Sequence, residues 1–140
     1  MIKNEYSFNR NSLWSATANA EILCEPLVGN KEADVVIVGA GYTGLSAALH
    51  LVEKKKKVII LDSENPGWGA SGRNGGQVNP GLKEDPDDIE EKFGIEDGRK
   101  MVQISGDAPD LVFSLIKKHN IKCDAIRSGW IRAAHSKDAF

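Results

Sequence analysis

The chain is poor in aromatics, which make up 6% of its 140 residues, and it has two cysteines, Cys24 and Cys123. It also lacks any apolar run longer than a few residues. The cysteines form no CxxC pair and have no histidine at metal-ligand spacing. A disulfide-built secreted scaffold and a metal site are therefore not expected, and inert thiols in a reducing, cytoplasmic setting are. No stretch approaches the ~20 apolar residues of a transmembrane segment, and residues 1–10 lack the apolar core of a secretory signal, so a soluble protein is expected. Neither sign of charge dominates: 18 basic and 20 acidic residues leave a net charge of -2, which calls for no nucleic acid and no anionic membrane surface.

Catalytic signals of the hydrolytic kind are scarce too. His50, His119 and His135 have no Ser, Cys or carboxylate partner at a catalytic spacing, and read as surface or packing residues. The lysine run 54–57 reads as a solvated helix end and linker. With 41% hydrophobic and 27% charged residues the composition is that of an ordinary globular domain. A domain of this size can hide about two-thirds of its unfolded surface.

What the chain does contain is a glycine fingerprint in full context. Val35–Val38 is a continuous apolar run, as expected of a parallel strand covered on both faces. Gly39, Gly41 and Gly44 follow at GxGxxG spacing. A helix through them is expected to bury Leu45, Ala48, Leu49 and Val52 at i, i+3, i+4 and i+7. Val58–Leu61 then re-enters the sheet and ends on Asp62. Chemistry assigns each part: Gly39 for the turn off the strand, Gly41 for backbone approach to a pyrophosphate, Gly44 for close helix-sheet packing. Unpaired amides and the positive end of the helix dipole would face the phosphates. Asp62 stands about 20 residues on, where a carboxylate accepts from a ribose 2'-OH. It would repel a 2'-phosphate, and Ser63, Glu64 and Asn65 supply no cation, so NADP is disfavoured while FAD and NAD remain.

A second segment follows at once. Between Pro66 and Gln77 five of twelve residues are glycine, too many for the interior of a helix or strand. One reading is a flexible loop. The other is backbone passing close to a ligand, with Ser71, Arg73, Asn74 and Gln77 as polar groups and Arg73 as a charge-assisted donor to a pyrophosphate. Composition leaves both open.

Three stretches together resemble the FAD-dependent amine and amino-acid oxidoreductases of the D-amino-acid oxidase and glycine oxidase superfamily, most closely the branch typified by gamma-glutamylputrescine oxidoreductase. They are 14–19 (WSATAN), 33–48 (ADVVIVGAGYTGLSAA) and 67–78 (GWGASGRNGGQV). The resemblance implies that Gly39, Gly41, Tyr42, Thr43 and Gly44 form the site of the FAD pyrophosphate and that Asp62 holds the adenosine ribose. Ser71, Arg73, Asn74, Gly75, Gly76 and Gln77 would line the route from pyrophosphate to flavin ring. Some relatives attach the flavin through a histidine in this second segment. Residues 66–80 contain none, so a flavin held without a covalent bond is implied. The implied reaction is oxidation of an amine C–N bond to an imine that is then hydrolysed. The substrate would be a small amine or amino acid such as gamma-glutamylputrescine, and no catalytic residue is assigned.

The expected architecture is α/β: residues 1–32 as an N-terminal arm with Tyr6, Phe8, Leu13 and Trp14, residues 33–80 as the N-terminal part of a Rossmann-like FAD-binding domain, and residues 81–140 as the start of an α+β substrate domain. In the last segment Pro86, Asp87 and Asp88 mark a helix start, and Met101, Ile104, Ala108, Leu111, Val112, Leu115 and Ile116 trace a helical stripe ending near His119. Pro109 implies either a kink or a fresh helix capped by Asp107. Residues 121–126 and 129–134 are strand candidates. Two strands and one crossover do not cover each other, and family members are much longer, so an incomplete, inactive piece is expected. The alternatives are an NAD-dependent dehydrogenase, which would pass directly into a third strand and helix after Asp62, and a non-catalytic fragment.

Overall fold

The computed structural model describes residues 12–19, 22–131, 133, 134 and 136. The expectations placed on Tyr6, Phe8 and His135 lie outside the described residues. The chain forms two compact units, Met1–Gly75 and Gly76–Phe140.

The first unit is a small mixed α/β assembly. A four-residue helix, α1 (Leu13–Ala16), starts at Ser12, whose hydroxyl accepts the Ser15 amide at 3.1 Å. Strand β1 (Val35–Val38) leads into helix α2 (Tyr42–Glu53), which returns the chain to strand β2 (Val58–Leu61). Two parallel strands require such a crossover, and their register places Val35 opposite Val58 and Val38 opposite Leu61. Helix α2 stops at Lys54 because Lys55 turns to φ 60, and the amides of Lys54, Lys55 and Lys56 close on the carbonyls of Leu51 and Val52. The lysines thus follow the helix. At the far end of the sheet the Asp34 carboxylate accepts the Lys57 amide at 2.8 Å and ties the two strand starts together.

Burial on α2 differs from the expected stripe. The covered line runs through Gly44, Ala48 and Leu51, while Leu45 and Val52 are exposed. One face of the helix meets the sheet, and the exposed leucine and valine lie off that face. Strand β1 likewise is not covered on both faces: burial alternates along it, and Val38 is 87% exposed. The apolar run is that of an interior strand, but two strands and one helix cover only one of its faces.

The second unit is a helical pair. Helix α3 (Pro86–Phe93) begins with proline at its first position and Asp87 and Asp88 in its first turn, where a missing N–H and negative charge are tolerated best. Gly94, at φ 84, ends it and starts α4 (Ile95–Lys118). The two helices meet through Ile89, 3% exposed, and through Gly98, where a Cβ would fall 2.7 Å from the Glu90 Cα.

Helix α4 is continuous across Pro109, so Asp107 caps no fresh helix. Proline lacks the amide that would bond the Ser105 carbonyl four residues back. The Gly81 amide takes that carbonyl instead, at 3.0 Å. The buried line of α4 runs through Gly98, Val102, Ser105 and Pro109, leaving Ile104 and Leu111, members of the expected stripe, exposed. Residues 121–126 and 129–131 form no strand, contrary to expectation; Ile126 and Ile131 are exposed, no strand among the described residues pairs with them, and Asp124 turns to φ 49. Among the described residues the second unit is helical, not α+β.

Candidate functional site

The site lies at the carboxyl ends of β1 and β2, where the chain turns from β1 into α2. Gly39 makes that turn at φ 102, and its amide bonds the Leu61 carbonyl at 2.7 Å, so the turn begins while still paired to the neighbouring strand. Gly44 sits in the first turn of α2, directly beneath it. A Cβ there would fall 1.9 Å from the Gly39 carbonyl oxygen and 3.2 Å from the Ile37 side chain. Only glycine lets the helix approach the strand this closely.

Asp62, at the end of β2, reaches across to the same corner. Its Oδ2 accepts the Ala40 amide at 2.6 Å, and its Oδ1 accepts the Glu64 amide at 2.9 Å. Those two bonds, the Ala40 one foremost, and a lesser one from the Ser63 amide hold the carboxyl below its ordinary value against a small opposing effect of desolvation. Asp62 remains exposed, and its carboxylate keeps acceptor capacity for an outside donor.

The glycine-rich segment closes a third side. The Gly67 amide bonds the Ala40 carbonyl at 2.9 Å, and the chain then passes through a short 3-10 turn at Ala70–Gly72. Ser71 on that turn accepts the Tyr42 amide, at the start of α2, at 3.0 Å. A Cβ on Gly41 would fall 2.9 Å from the Ser71 hydroxyl, so the second fingerprint glycine also makes room for this segment. Asn74 donates to the Tyr42 hydroxyl at 3.1 Å and to the Ser71 carbonyl at 2.7 Å. The Arg73 guanidinium lies over the Trp68 ring, 4.3 Å from its centre.

Gly39, Gly41, Tyr42, Gly44, Asp62, Ser71 and Asn74 are thus joined in one corner. Thr43 is exposed on the first turn of α2. Arg73 and Gly75 lie on the adjoining segment, while Gly76 and Gln77 begin the second unit. Two participants escaped the sequence reading. Ala40 acts only through its backbone, which no residue type announces, and Trp14, part of a noted motif without a role, donates its indole N–H to the Asn74 carbonyl at 2.8 Å.

Amide accounting defines what the corner can bind. The amides of Ala40 and Tyr42 are taken by Asp62 and Ser71. Among the described residues nothing accepts from the amides of Gly41, Thr43 and Gly44. Three partnerless donors at the positive end of a helix form a receptor for an anion. Among the described residues no group of acidic, histidine or cysteine side chains could hold a metal, and no helix is long and apolar enough to cross a membrane.

Residues 34–140 match the family DAO, described as FAD dependent oxidoreductase. The chain is 38% identical over 124 residues to a probable oxidoreductase, OrdL, of Haemophilus influenzae, an alignment covering 89% of the chain and 29% of that protein. It is 36% identical over 127 residues to gamma-glutamylputrescine oxidoreductase of Escherichia coli, covering 91% of the chain and 30% of that protein. A probable oxidoreductase OrdL of Rhizobium meliloti is 36% identical over 110 residues, 79% of the chain and 26% of that protein. The chain therefore spans less than a third of the length of these curated relatives. No solved structure matches it.

Proposed function

This chain belongs to the DAO family of FAD-dependent oxidoreductases, and from that premise we propose that it is the N-terminal, FAD-binding part of an enzyme oxidising the C–N bond of a small amine or amino acid. The observation that carries the reading is the set of partnerless amides at Gly41, Thr43 and Gly44, beside a carboxylate pinned to the same turn. A pyrophosphate fits these donors, and the Gly41 position leaves no side chain in its way.

The residues take distinct parts. Gly41, Thr43 and Gly44 donate to the pyrophosphate, helped by the α2 dipole, which adds roughly 0.3 to 1 kcal/mol for an exposed charge. Asp62 accepts from the adenosine ribose with its remaining acceptor capacity. The Ser71 hydroxyl, already accepting from Tyr42, has its proton to give to a phosphate oxygen. Arg73, held over the Trp68 ring, has its guanidinium donors to give to the anion. Bound flavin supplies the two-electron acceptor for hydride leaving the carbon next to nitrogen, the imine product then being hydrolysed.

Gamma-glutamylputrescine is the substrate this reading names first, because a relative at 36% identity carries that name. A reducing, cytoplasmic setting accords with two free and exposed cysteines. An NAD-dependent dehydrogenase would continue from Asp62 into a strand, whereas this chain runs into the turn that delivers Ser71. The test is the absorbance spectrum of the full-length purified protein: two visible flavin bands, bleached by gamma-glutamylputrescine or another small amine without oxygen, are expected. A colourless protein that binds NAD would overturn the reading.

A further inference from the structure

The motif at residues 14–19 has no part in the function proposed above, yet its tryptophan is tied to the site. Trp14 donates to the backbone carbonyl of Asn74, sixty residues away in sequence. Asn74 in turn holds, through its side-chain amide, both the Tyr42 hydroxyl and the Ser71 carbonyl. Tyr42 and Ser71 are the pair whose amide–hydroxyl bond sets the glycine-rich segment against the start of α2. One hydrogen bond from α1 thus reaches, through a single residue, the groups that frame the partnerless amides.

We infer that Trp14 is a positioning residue for the dinucleotide: α1 latches the glycine-rich segment at Asn74, so that Ser71 is set before the diphosphate arrives. The inference rests on the nucleotide reading of the corner. Its physical basis is entropy. Residues 66–77 carry five glycines, the residue type with most backbone freedom to lose, and a loop ordered in advance does not draw that loss from the binding energy. Trp14 is 39% exposed, and its large ring gives the latch a rigid arm with few rotors to freeze.

Trp14→Phe in the full-length protein keeps a ring and removes the N–H. Two measurements follow. In the unliganded variant, hydrogen exchange at the Gly72 and Arg73 amides, which close the 3-10 turn, should speed up while far-UV circular dichroism stays the same. Titration should show the dissociation constants of ADP and FAD rising about fivefold, the scale of one net hydrogen bond, with that of adenosine unchanged. Unchanged exchange, or equal losses for ADP and adenosine, overturns the latch. A wild-type protein that binds neither ADP nor FAD overturns the nucleotide reading itself, and the exchange measurement tells that failure apart from failure of the Trp14 bond.

Discussion

The carboxylate of Asp62 and the amide of Ala40 meet at 2.6 Å across 22 residues of sequence, joining the end of β2 to the turn that opens α2. The bond does two things at once. It fixes the turn, and it leaves the carboxylate at the corner where the proposed function puts a ribose.

Asp62→Ala should therefore weaken FAD binding roughly tenfold to a hundredfold, the range for hydrogen bonds to a charged group of about 1.5 to 3 kcal/mol. Flavin fluorescence titration measures it. Unchanged affinity removes Asp62 from the ribose role.

The same residue sets a pH dependence. Its carboxyl is held below its ordinary value in the folded chain, so the unfolded chain binds the proton first as pH falls. The contribution is complete above the ordinary aspartate value of about 3.9 and is lost as pH drops from there through the lower folded value. Asp62→Asn should flatten the stability profile in that acid window and leave its shape near neutrality alone, as read by urea denaturation at a series of pH values. Because Asp62 is exposed, the slope is small.

Gly44→Ala should cost about 2 to 3 kcal/mol or more, since backbone must move to clear a Cβ placed 1.9 Å from the Gly39 oxygen. Denaturant unfolding should show the midpoint falling. A neutral result would mean that α2 stands farther from β1 than described.

In the second unit, Gly81 at φ 85 bonds the carbonyl that Pro109 leaves open. Gly81→Ala should destabilise by about 1 to 2 kcal/mol through strain at that conformation. In a Pro109→Ala background the new amide satisfies Ser105, the loop can relax, and the cost should shrink. A double-mutant cycle with no coupling would show that the carbonyl needs no outside donor.

Acid precipitation of the flavin-loaded full-length protein should release all the flavin to the supernatant. Flavin retained in the pellet would mean a covalent bond, through a residue other than the histidine that segment 66–80 lacks.

Much of this was readable from residue order. Both strands and the start of α3 follow local rules: β-branched runs, and Pro86 with two acids. The fingerprint corner was legible because glycine spacing encodes backbone geometry directly. The buried faces were not. Leu45, Val52, Ile104 and Leu111 have the right period for a core, but period says only that a helix has an apolar side, and which side is covered depends on what packs there. The strands expected at 121–126 and 129–134 do not form among their described residues for a related reason: apolar alternation becomes a strand only when another strand supplies its hydrogen bonds.

By itself, then, the sequence determined the βαβ path, the glycine corner and the acid at its edge, because each depends on contacts between near neighbours or on the absence of a Cβ. Tertiary structure alone decided that Asp62 clasps Ala40, that Ser71 returns to Tyr42, that Trp14 holds Asn74 and that Gly81 replaces the amide missing at Pro109. Each of these is a hydrogen bond to a main-chain group, and a main-chain group looks the same in every residue until folding brings its partner near.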